Sequence, residues 1–386
     1  MRTLLFPLLF LGVMFLLNYY IQKRLFKRLH FKIDRYTFYF LALIFFLEIM
    51  FVIESFYHPF VGSPALFYIL SLSVAVTVTL FFVTLLYDLL HTTAQQIPFD
   101  QSRRRFMKIA FDMTMLILAF SYLVRGLIGG LKKPYLNRVE VFIKDFTFDA
   151  FTIVQFSDVH IGTTIGKNFV QECVDRINAL KPDMVVITGD LLDRKIEDAK
   201  DALAPLKELQ TKYGTYFILG NHEYFYGAQD IADYMPELNI TALLNDSVII
   251  GSGTNAFNLV GLNDLISLRM ESLPVDTYKA FAKVNKALPT ILLSHQPKSI
   301  EIVTDNHYDL MLSGHTHGGQ IFPFGFLVML QQPFLSGLHT INAAKQIFVS
   351  RGAGYWGPPV RVFAPSEISV LTIKPQIAKK AIDFKT

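Results

Sequence analysis

Four long apolar stretches crowd the first third of this chain and constrain its folding more than any other feature. They run over Leu4–Tyr20, Tyr36–Phe56, Leu66–Leu90 and Ile109–Leu131. A helix needs about 20 mostly apolar residues to cross a hydrocarbon core of roughly 30 Å. The second and third stretches reach that length comfortably; the first nearly does, and the fourth keeps Asp112 and Arg125 towards its ends. The pattern predicts a bundle of about four transmembrane helices over residues 1–133. Composition agrees: 52% of the 386 residues are hydrophobic and only 18% charged, where a soluble domain carries about 25% charged residues.

The charge is divided along the chain. Residues 1–140 hold 15 Lys and Arg against 7 Asp and Glu, whereas residues 141–386 hold 21 against 25. The basic excess therefore sits beside apolar runs, where it faces lipid headgroups, and nucleic acid is not an expected partner. Lys23, Arg24, Lys27, Arg28, Lys32 and Arg35 separate the first two stretches, and Arg103, Arg104, Arg105 and Lys108 precede the fourth. The loop Tyr57–Ala65 has no Lys or Arg. Because basic loops are retained in the cytoplasm, four spans put the amino terminus and the later domain outside it, although Lys132, Lys133 and Arg138 then follow the last span on the outer side. The run Ser102–Lys108 reads either as a twin-arginine-like export signal or as a plain positive-inside stop, and both give this topology. Glu48 and Glu54 read as interhelical hydrogen-bond partners in preference to an ion path. Cys173 is the only cysteine, so no intrachain disulfide can form.

After Pro134 the pattern changes to short apolar runs of strand length. These are Phe151–Phe156, Met184–Thr188, Tyr216–Leu219, Phe257–Val260, Ile291–Leu293, Leu310–Leu312, Ile347–Val349 and Ile368–Ile373. Helical candidates lie between them at Asn168–Leu180, Asp198–Lys212, Gln229–Leu238, Thr277–Ala287 and Ser299–Thr304. That alternation predicts a layered α/β domain from about residue 141 to 386.

Five of the runs end in polar clusters: Ser157-Asp158-Val159-His160, Gly189-Asp190 through Asp193-Arg194, Gly220-Asn221-His222-Glu223, Ser294-His295, and Gly314-His315-Thr316-His317-Gly318-Gly319. Ligand sites of α/β sheets gather at the carboxyl ends of strands, so these clusters are expected on one rim. Asp158, His160, Asp190, Asn221, His295, His315 and His317 supply seven oxygen and imidazole donors without a thiolate. Such a set suits two borderline divalent ions, Mn, Fe or Zn. Two ions about 3.5–4 Å apart clamp the attacking and leaving oxygens of phosphoryl transfer and acidify a bridging water. Taken alone, Asp-x-His, Gly-Asp and His295 each read more naturally as structural; their order along the chain carries the argument.

These five motifs resemble the calcineurin-like metallophosphoesterase family over roughly Thr152–Ile373. Gly-His-Thr-His-Gly-Gly-Gln-Ile-Phe-Pro, together with Ser350-Arg351-Gly352, Pro365 and Glu367, resembles its membrane-tethered bacterial YkuE-like branch. The resemblance implies a four-layer α/β/β/α sandwich and a bacterial inner-membrane location. It implies one ion on Asp158, His160 and His317, a second on Asn221, His295 and His315, and Asp190 bridging both. His222 is implied as the proton donor to the leaving oxygen, with Asp193 orienting it, and Arg194 as a phosphate-charge partner. Glu223 stands where many members have Asp and has no assigned role. The expected activity is hydrolysis of a phosphoester or pyrophosphate bond by a metal-bridging hydroxide. The substrate is a phosphorylated small molecule or an envelope or lipid-linked phosphate, with Tyr224, Phe225, Tyr226, Tyr355 and Trp356 lining an apolar approach or packing. The alternative is a transport or sensing module whose metal domain is regulatory.

Overall fold

The computed structural model describes residues 2–31, 33–57, 63–94, 101–270 and 272–376. Most of the expected loop at 57–65, and the chain beyond 376, lie outside these. The chain divides into two compact units.

The first unit runs to Lys132 and takes in Trp356–Val362. It holds four helices, α1 (Arg2–Arg24), α2 (Asp34–Tyr57), α3 (Pro64–Ala94) and α4 (Gln101–Leu131). Among the described residues, three helical stretches are long and apolar enough to cross a membrane: Asp34–Ser55, Pro64–Thr92 and Arg103–Leu131. The expected span over Leu4–Tyr20 forms α1 but is not one of them; α1 carries Pro7 inside it and ends in Lys23 and Arg24. Ile21, Leu25, Leu41, Val83, Tyr87 and Met115 pack the centre of this unit, while Leu8, Phe38, Leu89 and Phe120 point outwards and stay exposed. Glu48 is fully buried, and its Oε2 accepts from Asn18 Nδ2 at 3.0 Å. Thr77 Oγ1 donates to Asn18 Oδ1 at 3.3 Å, so one asparagine ties α1 to α2 and α3.

The second unit is an α/β sandwich of two mixed sheets. Its strands are β1 (Tyr135–Ile143), β2 (Phe151–Phe156), β3 (Met184–Thr188), β4 (Thr215–Ile218), β5 (Ile240–Ala242), β6 (Asp246–Ser252), β7 (Asn255–Gly261), β8 (Thr290–Leu293), β9 (Leu310–Ser313), β10 (Gly337–Thr340), β11 (Gln346–Val349) and β12 (Glu367–Pro375). One sheet has the order β1-β12-β2-β3-β4-β5 and the other β10-β11-β9-β8-β7-β6. β2 to β5 are mutually parallel, as are β7, β8, β9 and β11.

Side chains alternate across a strand, and that alternation sorts the second sheet's residues. Ile291, Leu293, Leu310, Leu312 and Phe348 face Ile153, Met184, Val186 and Ile218 of the first sheet. Leu292, Met311, Ile347 and Val349 turn the other way, towards Ala280, Val303 and Tyr308. Sheets buried on both faces explain why these strands read as unbroken apolar runs. The outer helices are α5 (Lys167–Ala179), α6 (Ile196–Leu203), α7 (Asn221–Tyr226), α8 (Ala228–Tyr234), α9 (Thr277–Phe281) and the short α10 (Gly325–Val328). In α5, Val170, Cys173, Val174 and Ile177 are buried at helical spacing.

Several expected helices are shorter than their patterns. The one over Asp198–Lys212 stops at Leu203 and continues as a 3-10 turn holding Pro205, and the one over Gln229–Leu238 does the same at Pro236. Proline has no N–H for the helical ladder. Pro297 likewise opens a 3-10 turn over Pro297–Glu301 in place of the expected helix at Ser299–Thr304.

Candidate metal centre

Asp158 and His160 follow β2, Asp190 follows β3, Asn221 and His222 follow β4, His295 follows β8, and His315 and His317 follow β9. The loops after these strands meet across both sheets. Gln155 is one tie: its Nε2 donates to Thr188 Oγ1 at 2.8 Å and to the Ser313 carbonyl at 2.9 Å, linking β2 to β3 and β9.

Three donor groups form there, one of them His160 with Asp193 and His222, and the other two made up of expected ligands. Asp158, His160 and His317 make one, and Asp190, His295 and His315 the other; within each, one donor atom per residue lies within 4.8 Å of the others. In the first, His160 Nε2 faces His317 Nε2 at 2.9 Å, and His317 Nε2 is 3.6 Å from Asp158 Oδ1. In the second, His295 Nε2 lies 3.1 Å from Asp190 Oδ2 and 3.2 Å from Asn221 Oδ1. Asp190 Oδ2 also lies 4.0 Å from His160 Nε2, so one carboxylate oxygen stands between the clusters.

Tautomers follow from the far side of each ring. Against its burial, Asp190 and Asp158 lift the His295 imidazole well above its usual range; the Thr188 carbonyl can only accept, so His295 Nδ1 donates to it at 2.8 Å and leaves Nε2 turned to Asp190, where it can exchange its proton for an ion. Asp193 Oδ1 accepts from His160 Nδ1 at 2.8 Å and frees His160 Nε2 in the same way. A partner on the second nitrogen is the usual support of a metal-binding histidine. Donors bound at about 2.0–2.2 Å to one ion lie close together, as these do. The side chains present therefore fit divalent metal.

The backbone is strained where the donors sit. Asp158, His160, Asp190, His315 and His317 all have positive φ, between 50° and 72°. Non-glycine residues seldom adopt that region, and each such residue costs about 1–3 kcal/mol. Close approach also dictates glycine at two neighbouring positions. A Cβ at Gly220 would meet Asp190 Oδ1 at 2.3 Å, and one at Gly314 would meet Asp158 Oδ2 at 2.1 Å.

Charge is shared unevenly. Burial favours neutral carboxyls, yet His295 and His222 beside it hold Asp190 well below the usual carboxylate range. Asp193 is lowered too, against its own burial, by His160 and His222. Burial disfavours a charged His222, but Asp190 and Asp193 outweigh it and lift the imidazole to about 9. His315 is pushed down to about 3, first by burial and then by His295, so it stays neutral with a lone pair to offer.

His222 Nδ1 lies 2.7 Å from Asp193 Oδ1, and its Nε2 is 4.0 Å from Asp190 Oδ2. Asp193 thus serves two rings, His160 as well as His222. Arg194 stands apart: its Nη2 donates to Thr163 Oγ1 at 2.7 Å, and among the described residues it pairs with none of the seven donors. Of the expected aromatics, Phe225 is exposed and sits edge-on to His222 at 5.8 Å between centroids. Tyr224 and Tyr355 are buried, and Trp356 belongs to the helical unit.

Glu223 gains a clear position. It is fully buried, and its carboxylate accepts from the backbone N–H groups of Gly220 (2.7 Å), Asp190 (2.9 Å), Leu191 (2.7 Å) and Leu192 (3.1 Å). Glu three residues after the residue that opens a helix is the capping-box spacing, which was visible in Gly220-Asn221-His222-Glu223. The bonds to the second cluster's loop were not.

The sequence pattern described as calcineurin-like phosphoesterase matches residues 151–319. A metallophosphoesterase of Helicobacter pylori is 37% identical over 376 residues, 97% of this chain and 99% of its own length. The metallophosphoesterase YkuE of Bacillus subtilis is 32% identical over 237 residues, 59% of this chain and 80% of its own. A Bos taurus protein described as a transmembrane protein with metallophosphoesterase domain is 34% identical over 284 residues, 69% of this chain and 63% of its own.

Proposed function

The chain belongs to the calcineurin-like phosphoesterase family, and from that premise we propose that it is a membrane-anchored hydrolase of phosphoester or pyrophosphate bonds that works with two divalent ions. The observation that carries the reading is the position of Asp190 Oδ2, within 4.0 Å of imidazole nitrogens from both donor clusters. Asp158, His160 and His317 would hold one ion; Asn221, His295 and His315 the other; Asp190 both. Ions bound there supply Lewis-acid charge and make water a nucleophile near neutral pH.

The remaining steps belong to the chain's own side chains. His222 is held by Asp193 and is cationic at neutral pH in the protein alone. Its Nε2 proton passes to the leaving oxygen as the P–O bond breaks, a contribution of about 10²–10⁴-fold for a positioned acid. Glu223 and Asp193 act through other residues, the first by fixing the Asp190–Leu192 backbone and the second by orienting two rings.

An exposed apolar surface in the segment that follows His317 supports a lipid-linked substrate. Five residues past that histidine, Phe322 stacks edge-on with Phe326 and Phe363, and Phe326, Leu330 and Phe363 are 66%, 81% and 70% exposed. Concentrated apolar exposure of this kind marks a binding surface. The basic loops support a cytoplasmic start for α4, which puts the catalytic unit on the extracytoplasmic side.

The test is the full-length protein in detergent, stripped of metal, reloaded with Mn, and assayed on a chromogenic phosphodiester and on phospholipid. The proposal expects turnover only with metal and its loss in Asp190→Asn; equal turnover of the variant refutes it.

A further inference from the structure

We propose that the helical unit carries a second, non-catalytic site for a phosphate-bearing anion, a lipid headgroup or free phosphate, where α1, α3 and α4 meet. A cavity of about 340 Å³ there is lined by Arg24, Arg28, His91, Thr92 and Lys108. That volume lies at the small end of ligand pockets, roughly 300–1,000 Å³. All five residues come from one end of the bundle: the end of α1 and the turn after it, the last turns of α3, and the first turns of α4.

The cations are held in place by carboxylates. Asp88 accepts from Tyr20 OH (2.7 Å), Arg24 Nε (2.7 Å) and Arg28 Nη1 (2.6 Å). Asp112, fully buried, accepts from the His30 N–H (2.7 Å), Tyr87 OH (3.0 Å) and Lys108 Nζ (3.3 Å). Lys108 Nζ also donates to the Arg28 carbonyl, which pins α4 to the turn after α1.

Two readings compete for this cluster, internal ion pairing and a ligand site. Pairing alone accounts for two carboxylates against three fixed cations, Arg24, Arg28 and Lys108. Each guanidinium has five N–H donors, and the bonds to Asp88 use one on each arginine. Fixed, partly committed forks around an open volume are the arrangement that recognises phosphate. This end of the bundle also carries Lys23 and Lys27 and adjoins Arg103–Arg105. It is the end that the positive-inside rule places at the cytoplasmic leaflet, where anionic lipids collect.

Native mass spectrometry of the full-length protein in detergent tests this, titrated separately with phosphatidylglycerol, phosphatidylcholine and inorganic phosphate. Phosphatidylglycerol should bind with one tight equivalent, at least ten-fold more tightly than phosphatidylcholine. Arg24→Gln and Arg28→Gln should each weaken it about five- to ten-fold, while Arg103→Gln, which removes the same charge outside the cavity, should not. Displacement by millimolar inorganic phosphate would identify the phosphate group alone as the ligand; its failure to compete would identify the lipid headgroup. Equal affinity for both lipids with no phosphate binding overturns the proposal, as does an equal loss in Arg103→Gln. Metal-dependent turnover of a water-soluble diester, expected unchanged in Arg24→Gln, checks folding without entering the binding readout.

Discussion

Glu223→Gln isolates the buttress that the structure places behind Asp190. The substitution keeps shape but exchanges one carboxylate oxygen for an amide nitrogen, which cannot accept from the two N–H groups facing it. Each buried N–H left without an acceptor costs about 1–3 kcal/mol, so the loss is about 2–6 kcal/mol. Against this, burial first and Asp190 second lift the Glu223 carboxyl from 4.5 to about 6. Relief of that ionisation cost at neutral pH returns about 2 kcal/mol, at roughly 1.4 kcal/mol per unit. The net destabilisation is therefore about 0–4 kcal/mol, centred on about 2 kcal/mol. For a unit of this size it lowers the melting temperature by roughly 4–8 °C. The sign with pH follows from a raised carboxyl: the wild type draws most stability from this group below pH 4.5 and loses it as pH rises through 6, so the gap between the two proteins widens on acidification. Differential scanning fluorimetry of metal-free protein at pH 5 and pH 8 measures both quantities. A variant that melts with the wild type at both values refutes the buttress.

His222→Ala should retain both metals by elemental analysis yet lose about 10²–10³-fold in kcat, and the alkaline fall in the wild-type pH profile should vanish; bound cations will draw that fall below the value near 9 set by Asp190 and Asp193. Gly220→Ala drives a Cβ to 2.3 Å from Asp190 Oδ1 and should cost about 10²-fold in turnover with circular dichroism unchanged; wild-type kinetics would contradict the close packing. Leu330→Asp with Phe326→Asp should raise KM for a phospholipid in mixed micelles several-fold while sparing a soluble diester; an equal effect on both would remove the apolar surface from substrate recognition.

Much of this was legible in the sequence, and particular residues show why. Phe151–Phe156 and Met184–Thr188 match β2 and β3 residue for residue, because parallel strands buried on both faces leave continuous apolar runs. β1, β5, β6 and β10 leave no clear signal in the sequence: their burial is interrupted, as in Tyr135–Ile143, and their pattern is weak. The seven candidate donors stand out in the sequence because metal chemistry restricts residue type and strand ends restrict place. Glu223 has no role legible in the sequence, since its four partners are backbone N–H groups and backbone amides carry no sequence identity. Asp193 looked like the partner of one histidine, and only geometry shows it touching two. Arg194 shows what sequence order leaves open: it follows Asp193 in the motif, and its Nη2 donates to Thr163 Oγ1.

The account rests on seven side chains sharing two ions through Asp190, and metal stoichiometry tests that most directly. Elemental analysis of chelator-stripped, Mn-reloaded full-length protein should give two ions per chain in the wild type and fewer in Asp190→Asn. One ion or none in the wild type, or two retained by the variant, would contradict it.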